Sequence, residues 1–236
     1  MSKDKEQIFK FEQYKIWKFS GETTFFFKSG MTIDADGAPK AYHPDDITGL
    51  DSLDNAGGDG EWWALATDEN GDPIIQGEND PAPGYYVSMT ALTDETKEET
   101  DPRRYVDATK IPYIVLPEND DEKFLKKAKV KLGDFAAVYN GENGKLAFAI
   151  FADTSELFAG GEERTQFGEG SIALADALDI DSNPRTGGTD EGVLYVVFPR
   201  SGNGKPRSIK EITREAKERF EEWGGIAQAK ACFNEL

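Results

Sequence analysis

The stretch LAFAIFADTSELFAGGEERTQFGEGSIALADAL, residues Leu146–Leu178, predicts a strand, a loop and a helix, with a carboxylate at each junction. It begins with an apolar run that has the length of a buried β-strand, and Asp153 ends that run. After a polar loop, Ile172–Leu178 is typical of a short buried helix with Ser171 as its N-cap. Glu169 therefore lies at a helix entrance, on a loop that rigid elements position.

The flanking sequence predicts a mainly β fold with helices toward the C-terminus. Phe9–Phe19 alternates apolar and charged residues with a one-residue shift, which indicates one β-strand or bulged strand with one face exposed to solvent. Ser208 and Glu211 form a capping box, and apolar residues then recur at helical spacing up to Trp223. We therefore expect a single-domain β-barrel, for which the six-stranded double-psi type is a candidate. Further strands are predicted at residues 23–28, 62–65, 85–90, 111–117, 130–139 and 193–198.

Composition narrows the function before any motif does. The chain has 236 residues, with 15 Phe, 8 Tyr and 4 Trp, which suffices for a large core. Its net charge of −18 predicts repulsion of nucleic acid and anionic membranes, and attraction of cationic partners. Solubility alone would also explain such acidity, so the charge does not choose between the two interpretations.

Several reaction classes lack the residues that they need. Cys232 is the single cysteine, which excludes an intrachain disulfide, and one Cys with one His cannot form the usual zinc ligand sets. A Ser-His-Asp triad would require His43 as its base, and the sequence has neither a nucleophile elbow nor a phosphate-binding glycine loop. Three Asp-rich turns, at residues 34–37, 68–72 and 179–183, do not complete an EF-hand loop. No metal site and no cofactor are therefore predicted.

Carboxylate chemistry needs neither histidine nor a metal. Hydrolysis of a glycosidic bond requires one protonated carboxyl group and one carboxylate that activates water or attacks directly. Asp153 and Glu169 suit these roles because they come from separate elements and can face a common groove. In a chain with 45 acidic residues such a pair also arises by chance, so spacing alone does not decide.

Two segments resemble the catalytic region of a known enzyme family. Ala149–Thr154, AIFADT, and Phe167–Ala175, FGEGSIALA, are similar to the fungal-type chitosanases, glycoside hydrolase family 75. The resemblance implies a single catalytic domain over residues 1–236, with a family-like region at about 23–236 and an N-terminal strand extension at 1–22. Other similar segments lie at residues 33–37, 106–108, 111–117, 132–138, 197–199 and 223–225.

The resemblance implies an endo-acting enzyme that cleaves the β-1,4 bonds of chitosan, a glucosamine polymer, with inversion and without a cofactor. On the matching positions, Glu169 is expected to be the general acid and Asp153 the general base that activates water. Inversion predicts that their carboxyl groups lie about 6.5–9.5 Å apart. The nearby helix N-terminus would stabilise ionised Glu169, so we expect burial or the charge of Asp153 to keep it protonated.

A polycationic substrate gives the acidic surface a purpose. Asp34 and Asp36 are expected to bind its amino groups, although they would also suit a turn that only orders the chain. Trp62 and Trp63 would point to opposite faces of a strand, so one of them can face a groove and stack on a sugar ring, with core packing as the alternative. The expected substrate-binding residues are Asp34, Asp36, Trp62, Thr154 and Ser171.

The sequence departs from the family pattern in two places. After Thr154, residues 155–166 form a loop that looks longer than usual, which bears on the shape of the groove. The resemblance implies an extracellular enzyme, but Met1–Glu6 is too charged for a signal peptide. The sequence therefore leaves open whether the protein is cytoplasmic or a mature chain with an added methionine.

Two functions of different class are consistent with the sequence. The first is the inverting chitosanase. The alternative is a non-catalytic module on the same scaffold that binds a cationic polysaccharide or a basic protein. The presence of both carboxylates favours the enzyme, and in either case we expect a monomer without nucleic-acid or membrane partners.

Overall fold

The chain folds around a closed β-barrel in a computed structural model that describes residues 4–11, 13–58, 60–118, 124–155 and 167–236. The strands are β1 (Lys5–Phe11), β2 (Tyr14–Phe19), β3 (Phe25–Asp34), β4 (Gly57–Gly58), β5 (Glu61–Trp62), β6 (Tyr113–Pro117), β7 (Phe135–Asn140), β8 (Leu146–Ser155), β9 (Glu169–Ser171) and β10 (Thr189–Phe198). The helices are α1 (Leu53–Ala56), α2 (Phe124–Ala128), α3 (Ile172–Leu178), α4 (Ile209–Trp223) and α5 (Gly225–Glu235).

Six strands close the barrel in the order β3, β10, β7, β8, β6 and β9, and β9 pairs with β3 again. The β1–β2 hairpin extends the same sheet from β3. Because α4 and α5 follow the last strand, the predicted mainly β barrel with C-terminal helices is confirmed. The crossings that would define the double-psi type stay a prediction. Within the described residues, no helix has the length and apolar character needed to cross a membrane.

Several elements form where the local sequence predicts them. Strands β7 and β8 are antiparallel and are joined by a turn at residues 140–144, the position of the predicted hairpin. Helix α4 begins at a complete capping box, in which the side chains of Ser208 and Glu211 each accept a bond from the other's backbone N–H. Gly224, at φ 133°, ends that helix because only glycine adopts this conformation without strain.

The N-terminal prediction is wrong in one respect. Phe9–Phe19 is not one bulged strand, because β1 and β2 are separate antiparallel strands in which Phe11 pairs with Tyr14. The shift in alternation marks the turn between them. Phe9 is buried against Phe124, with ring centroids 5.0 Å apart. The N-terminal extension therefore packs on the core of the barrel.

Alternate residues of the barrel strands face two separate cores. The inner core fills the barrel, where the Phe27 and Tyr195 rings stack with centroids 4.7 Å apart. The outer core lies between the barrel surface and α4, which buries Phe220 and Trp223. Because burial of such a ring contributes about 2–3 kcal/mol and its removal leaves a cavity, Phe220→Ala would cost about 3–5 kcal/mol.

The β3–β6 connection, residues 35–112, covers part of the outer face of the barrel. It carries 18 Asp and Glu residues against 5 Lys and Arg, a net charge of −13 out of −18 for the chain. The strands predicted at 62–65 and 85–90 are reduced there to β5 and to single bridges, such as Leu65 with Ser88. Each of the six barrel strands is already paired on both sides, so the barrel offers these segments no edge along which to extend.

Candidate active site

An open cleft of about 1580 Å³ lies between the outer face of the barrel and the β3–β6 connection. Pockets for drug-sized ligands are about 300–1,000 Å³, so this volume suits a chain of several sugar-sized units. Its floor comes from β3, β6, β8 and β9, and its walls come from the connection and from residues 184–187. The charged residues that line the cleft are Asp34, Asp36, Asp51, Glu61, Glu99, Arg104, Glu118, Asp153, Glu169 and Arg185.

Strand register places Asp153 and Glu169 on the same face of the sheet. Val115 of β6 pairs with Asp153 of β8 on one side and with Glu169 of β9 on the other. Paired residues of neighbouring strands point to the same face, so both carboxyl groups face the cleft. Two strand spacings separate their Cα atoms, which is about 9–10 Å.

A β-bulge turns Asp153 toward the cleft. Val115 pairs with Asp153 while the residue before Val115 pairs with Phe151, so Ala152 is an extra residue in β8. Phe151 faces the inner core and Ala152 the outer one, and regular alternation would return Asp153 to the barrel interior. The extra residue keeps Asp153 on the outer face. The prediction that Asp153 ends the strand is wrong, because β8 continues to Ser155.

Strand β3 and the turn after it bring two more carboxyl groups to the pair. Thr32 pairs with Glu169, and Asp34, two residues further along β3, shares the same face. The Asp34 Oδ1 accepts the backbone N–H of Asp36 at 2.7 Å. Carboxyl oxygens of Asp34, Asp36 and Asp153 lie within 4.8 Å of one another. These three groups could hold a divalent cation, and they equally suit a substrate ammonium group.

Hydrogen bonds distinguish the carboxyl groups from one another. Asp153 Oδ1 accepts the backbone N–H groups of Ala91 at 3.0 Å and Thr154 at 2.8 Å. Asp36 Oδ1 accepts the Tyr42 hydroxyl at 2.8 Å. Across the part of the chain that the structure describes, no donor reaches the Glu169 carboxyl group. Of Asp153 and Glu169, only Asp153 is therefore held by donors that favour its ionised form.

Burial raises the pKa of all four carboxyl groups. It raises the pKa of Asp34 from 3.8 to about 6. The pKa values of Asp36, Asp153 and Glu169 are also raised well above their ordinary values, first by burial and next by the negative charge of Asp34. Like charges this close in a buried site do not all ionise near neutral pH, so the cluster holds protons where exposed carboxylates hold none.

Two tryptophans form part of the cleft wall. Trp62 lines the cleft and is also packed against the outer core. Trp63 lines it too, with 57% of its surface exposed, and its ring N–H donates to the Asn55 carbonyl at 2.9 Å. The opposite-face expectation for the pair does not hold, because β5 ends at Trp62 and Trp63 is outside regular strand geometry.

The other residues singled out by the sequence divide into two groups. Thr154 lines the cleft. Ser171 is fully buried and caps α3, where its Oγ accepts the N–H of Leu174 and donates to the Ile111 carbonyl. The structure therefore does not bring Ser171 to the cleft. His43 packs against the Tyr85 ring outside the cleft lining, and residues 156–166, most of the loop expected to be long, lie outside the described part of the chain.

Further residues of the site carry no signal in the sequence. Tyr42, Ser88 and Ala91 hydrogen-bond to Asp36 or Asp153, and Arg185 donates to the Asp51 carbonyl at 2.7 Å. None of them stands in a recognisable motif, and Ala91 and Asp153 are 62 residues apart. Only the tertiary structure makes them neighbours.

The fold and the site together define the class of protein. An open cleft with paired carboxyl groups and with tryptophans in its wall is the arrangement with which glycoside hydrolases work. A family profile described as fungal chitosanase of glycosyl hydrolase group 75 matches residues 31–228. The chain belongs to this family, and it is a glycosidase.

Curated relatives agree with the family match. An Endo-chitosanase B of Aspergillus oryzae is 27% identical over 205 residues, which are 85% of this chain and 79% of the relative. A second Endo-chitosanase B, from A. oryzae strain ATCC 42149 / RIB 40, is 27% identical over 212 residues, which are 85% of this chain and 83% of the relative. The resemblance read from the sequence motifs is thus confirmed, and the enzyme is selected over the non-catalytic module.

Proposed function

We propose that this glycosidase cleaves β-1,4 bonds between glucosamine units within chitosan chains, with inversion at the anomeric carbon. The observation that carries the proposal is the register of Asp153 and Glu169 on the two sides of Val115. It supports a site in which two carboxyl groups from different strands flank one glycosidic bond. The names of the A. oryzae relatives, both endo-chitosanases, agree with that substrate and that mode of cleavage.

The different surroundings of the two groups support their roles. Glu169 is the general acid, because burial and the charges of Asp34 and Asp153 raise its pKa and no described donor opposes them. Asp153 is the general base, because two backbone N–H groups bind its Oδ1 and favour the carboxylate. The N-terminus of α3, expected to ionise Glu169, is outweighed by burial and these charges.

Separation of the carboxyl groups supports inversion. Retaining enzymes need carboxyl groups about 5–5.5 Å apart, and inverting enzymes about 6.5–9.5 Å, with a water molecule between base and sugar. A Cα separation of two strand spacings, about 9–10 Å, on side chains that point to the same face favours the longer range. Asp153 then removes a proton from water on one face of the sugar while Glu169 protonates the leaving oxygen.

A cationic substrate fits the remaining charges. Asp34 and Asp36 bind the ammonium group of a glucosamine unit, which compensates two buried carboxylates at once. The net charge of −13 on the β3–β6 connection attracts the polymer to the cleft. Trp62, Trp63 and Thr154 contact the sugar rings and their hydroxyl groups. Every step uses groups of the chain itself, so no metal or cofactor enters the proposal.

The test is hydrolysis of glucosamine oligomers by the wild type, Asp153→Asn and Glu169→Gln. Because a general acid or base contributes about 10²–10⁴-fold, we expect each variant to lose at least a hundredfold in kcat. The matched controls are Asp176→Asn and Glu218→Gln, exposed carboxylates on α3 and α4. Full activity in both site variants contradicts the assigned roles, and a first-formed β-anomer in proton NMR contradicts inversion.

A further inference from the structure

The bulge that aims Asp153 is held by a segment of the β3–β6 connection. Leu92 donates its backbone N–H to the Ala152 carbonyl at 2.8 Å, and Ala91 donates its N–H to Asp153 Oδ1 at 3.0 Å. Two consecutive amides therefore bind the two residues of the bulge. Any shift of residues 88–92 along the barrel would remove the Ala91 donor from Asp153.

Thr90 fixes that segment from its other side. Its hydroxyl donates to the Leu92 carbonyl at 2.9 Å and accepts the Val106 N–H at 3.0 Å. Thr90 is only 4% exposed, so neither bond has water as a ready substitute. Its methyl group packs against Gly37, where an added Cβ would lie 2.9 Å from Thr90 Cγ2. Thr90 is thus fixed by two hydrogen bonds and by contact of its methyl group with the Gly37 backbone, which cannot move aside as a flexible side chain could.

The same segment reaches the second carboxyl group of the cluster. Ser88 Oγ donates to Asp36 Oδ1 at 3.3 Å and accepts the Gly37 N–H at 3.0 Å. Residues 88–92 thereby connect Asp36 with Asp153, and Thr90 lies midway between the two contacts. Thr90 itself bonds to neither carboxyl group within the described structure, so its effect on Asp36 or Asp153 passes through the segment.

We propose that Thr90 is a positioning residue for the reaction: its hydroxyl holds residues 88–92 against the bulge, so that the Ala91 N–H reaches the Asp153 carboxylate. This inference rests on the proposed role of Asp153 as the base. A hydrogen bond to an ionised group is stronger than one between neutral groups, so the Ala91 contact favours the active, ionised state of the base. Without it, the base ionises only at higher pH.

Among the described residues, Thr90 is hydrogen-bonded to none of the other titratable groups around Asp153. Asp34 of β3, Asp36 of the following turn, Glu169 of β9 and the Tyr113 hydroxyl of β6 face it. No lysine or arginine is paired with Asp153 among the described residues. A shift in the titration of the base between Thr90 variants therefore reports the contacts of residues 88–92, of which the Ala91 N–H is the one made directly to Asp153.

The experiment measures kcat and KM on a glucosamine oligomer across pH for the wild type, Thr90→Val and Thr90→Ser. Valine keeps the shape and loses the hydroxyl, whereas serine keeps the hydroxyl and loses the methyl group. For Thr90→Val we expect the acid limb of kcat/KM to move to higher pH, with activity on that limb about tenfold lower, because a bond to a charged group is lost. In Thr90→Ser, which keeps the hydroxyl, the acid limb of kcat/KM should stay at its wild-type pH.

A purely structural role predicts a different result. Thr90→Val would then melt at a lower temperature but keep the wild-type acid limb, and that outcome overturns the proposal. An equal shift of the limb in Thr90→Ser overturns it as well. If Asp153→Asn retains full activity, the proposed role of Asp153 as the base is wrong. If Asp153→Asn is inactive but the acid limb of kcat/KM does not move in Thr90→Val, only the proposed role of Thr90 is wrong.

A measurement on the wild type covers the case in which Thr90→Val does not fold. The chemical shift of the Ala91 amide proton is followed by NMR as a function of pH. We expect an inflection at the pH of the acid limb of kcat/KM, and its loss in Asp153→Asn. An Ala91 amide that does not respond across this range contradicts the contact on which the proposal depends.

Discussion

Asp153 and Glu169 are in register with the same residue, Val115, from strands on its two sides. Their separation is therefore set by the hydrogen-bond ladder of the barrel, which is stiffer than any pair of loops. The bulge at Ala152 adds the one feature that the ladder does not provide, the direction of the Asp153 side chain. Precise placement of a catalytic pair is easiest to maintain on such rigid elements.

Replacement of Asp34 by Asn should move the pH–activity profile toward lower pH. The negative charge of Asp34 is the second cause, after burial, of the raised pKa of both Asp153 and Glu169, so its removal lowers both pKa values. On the proposed roles, the acid limb follows the ionisation of Asp153 and the alkaline limb follows proton loss from Glu169, so both limbs shift to lower pH. We would measure kcat/KM against pH, with Asp176→Asn as the control. Limbs that stay fixed or move upward would contradict the described electrostatics.

The same substitution should change the pH dependence of stability. Because the folded-state pKa of Asp34 is raised from 3.8 to about 6, its contribution to stability is fully present below about pH 3.8 and is lost as the pH rises through about 6. Relative to the wild type, the free energy of unfolding of Asp34→Asn should therefore increase by about 2 kcal/mol between pH 4 and pH 7. Urea unfolding at several pH values measures this, and a constant difference contradicts it.

Trp63 and Trp62 should differ in what their removal costs. Trp63 is exposed in the cleft wall, so Trp63→Ala should raise KM for glucosamine oligomers about three- to tenfold, with little loss of stability. Trp62 also packs on the outer core, so Trp62→Ala should lower the melting temperature in addition. Steady-state kinetics and thermal unfolding separate the two effects. Equal losses of stability in both variants would contradict the described packing.

Arg185 should control how firmly the β3–β6 connection is held. Its guanidinium donates to the carbonyls of Asp46 and Asp51 and pairs with the Asp46 carboxylate. Lysine cannot reproduce this fork, so both Arg185→Lys and Arg185→Ala should increase hydrogen exchange of residues 46–51. Mass spectrometry of exchanged peptides is the measurement. Unchanged exchange in Arg185→Ala would show that other contacts hold this segment.

Removal of metal ions should leave the reaction intact. The proposed mechanism uses only carboxyl groups of the chain, although Asp34, Asp36 and Asp153 are close enough to hold a cation. We expect enzyme treated with EDTA and dialysed to retain its kcat on glucosamine oligomers. A loss of activity that one divalent ion restores would contradict the metal-free mechanism and assign the cluster to that ion.

Local signals predicted much of this fold because their causes are local. The capping box of α4, the Ser171 cap of α3 and the hairpin before β8 each depend on residues a few positions apart. The strands predicted within the β3–β6 connection failed for the opposite reason. A strand needs an unpaired strand edge as its partner, and each of the six barrel strands is already paired on both sides.

The sequence by itself determined the class of fold, the family and the two carboxylates of the Leu146–Leu178 stretch, because alternation, caps and motifs are properties of neighbouring residues. Only the tertiary structure decided which way Asp153 faces. One extra residue in a strand changes the face to which the following side chains point, and no local sequence pattern shows where that extra residue lies. It also decided that Asp34 and Asp36 join the pair and that Ala91 supplies a donor. Strand pairing and hydrogen bonding bring those residues together across tens of positions, and no short-range pattern encodes such contacts.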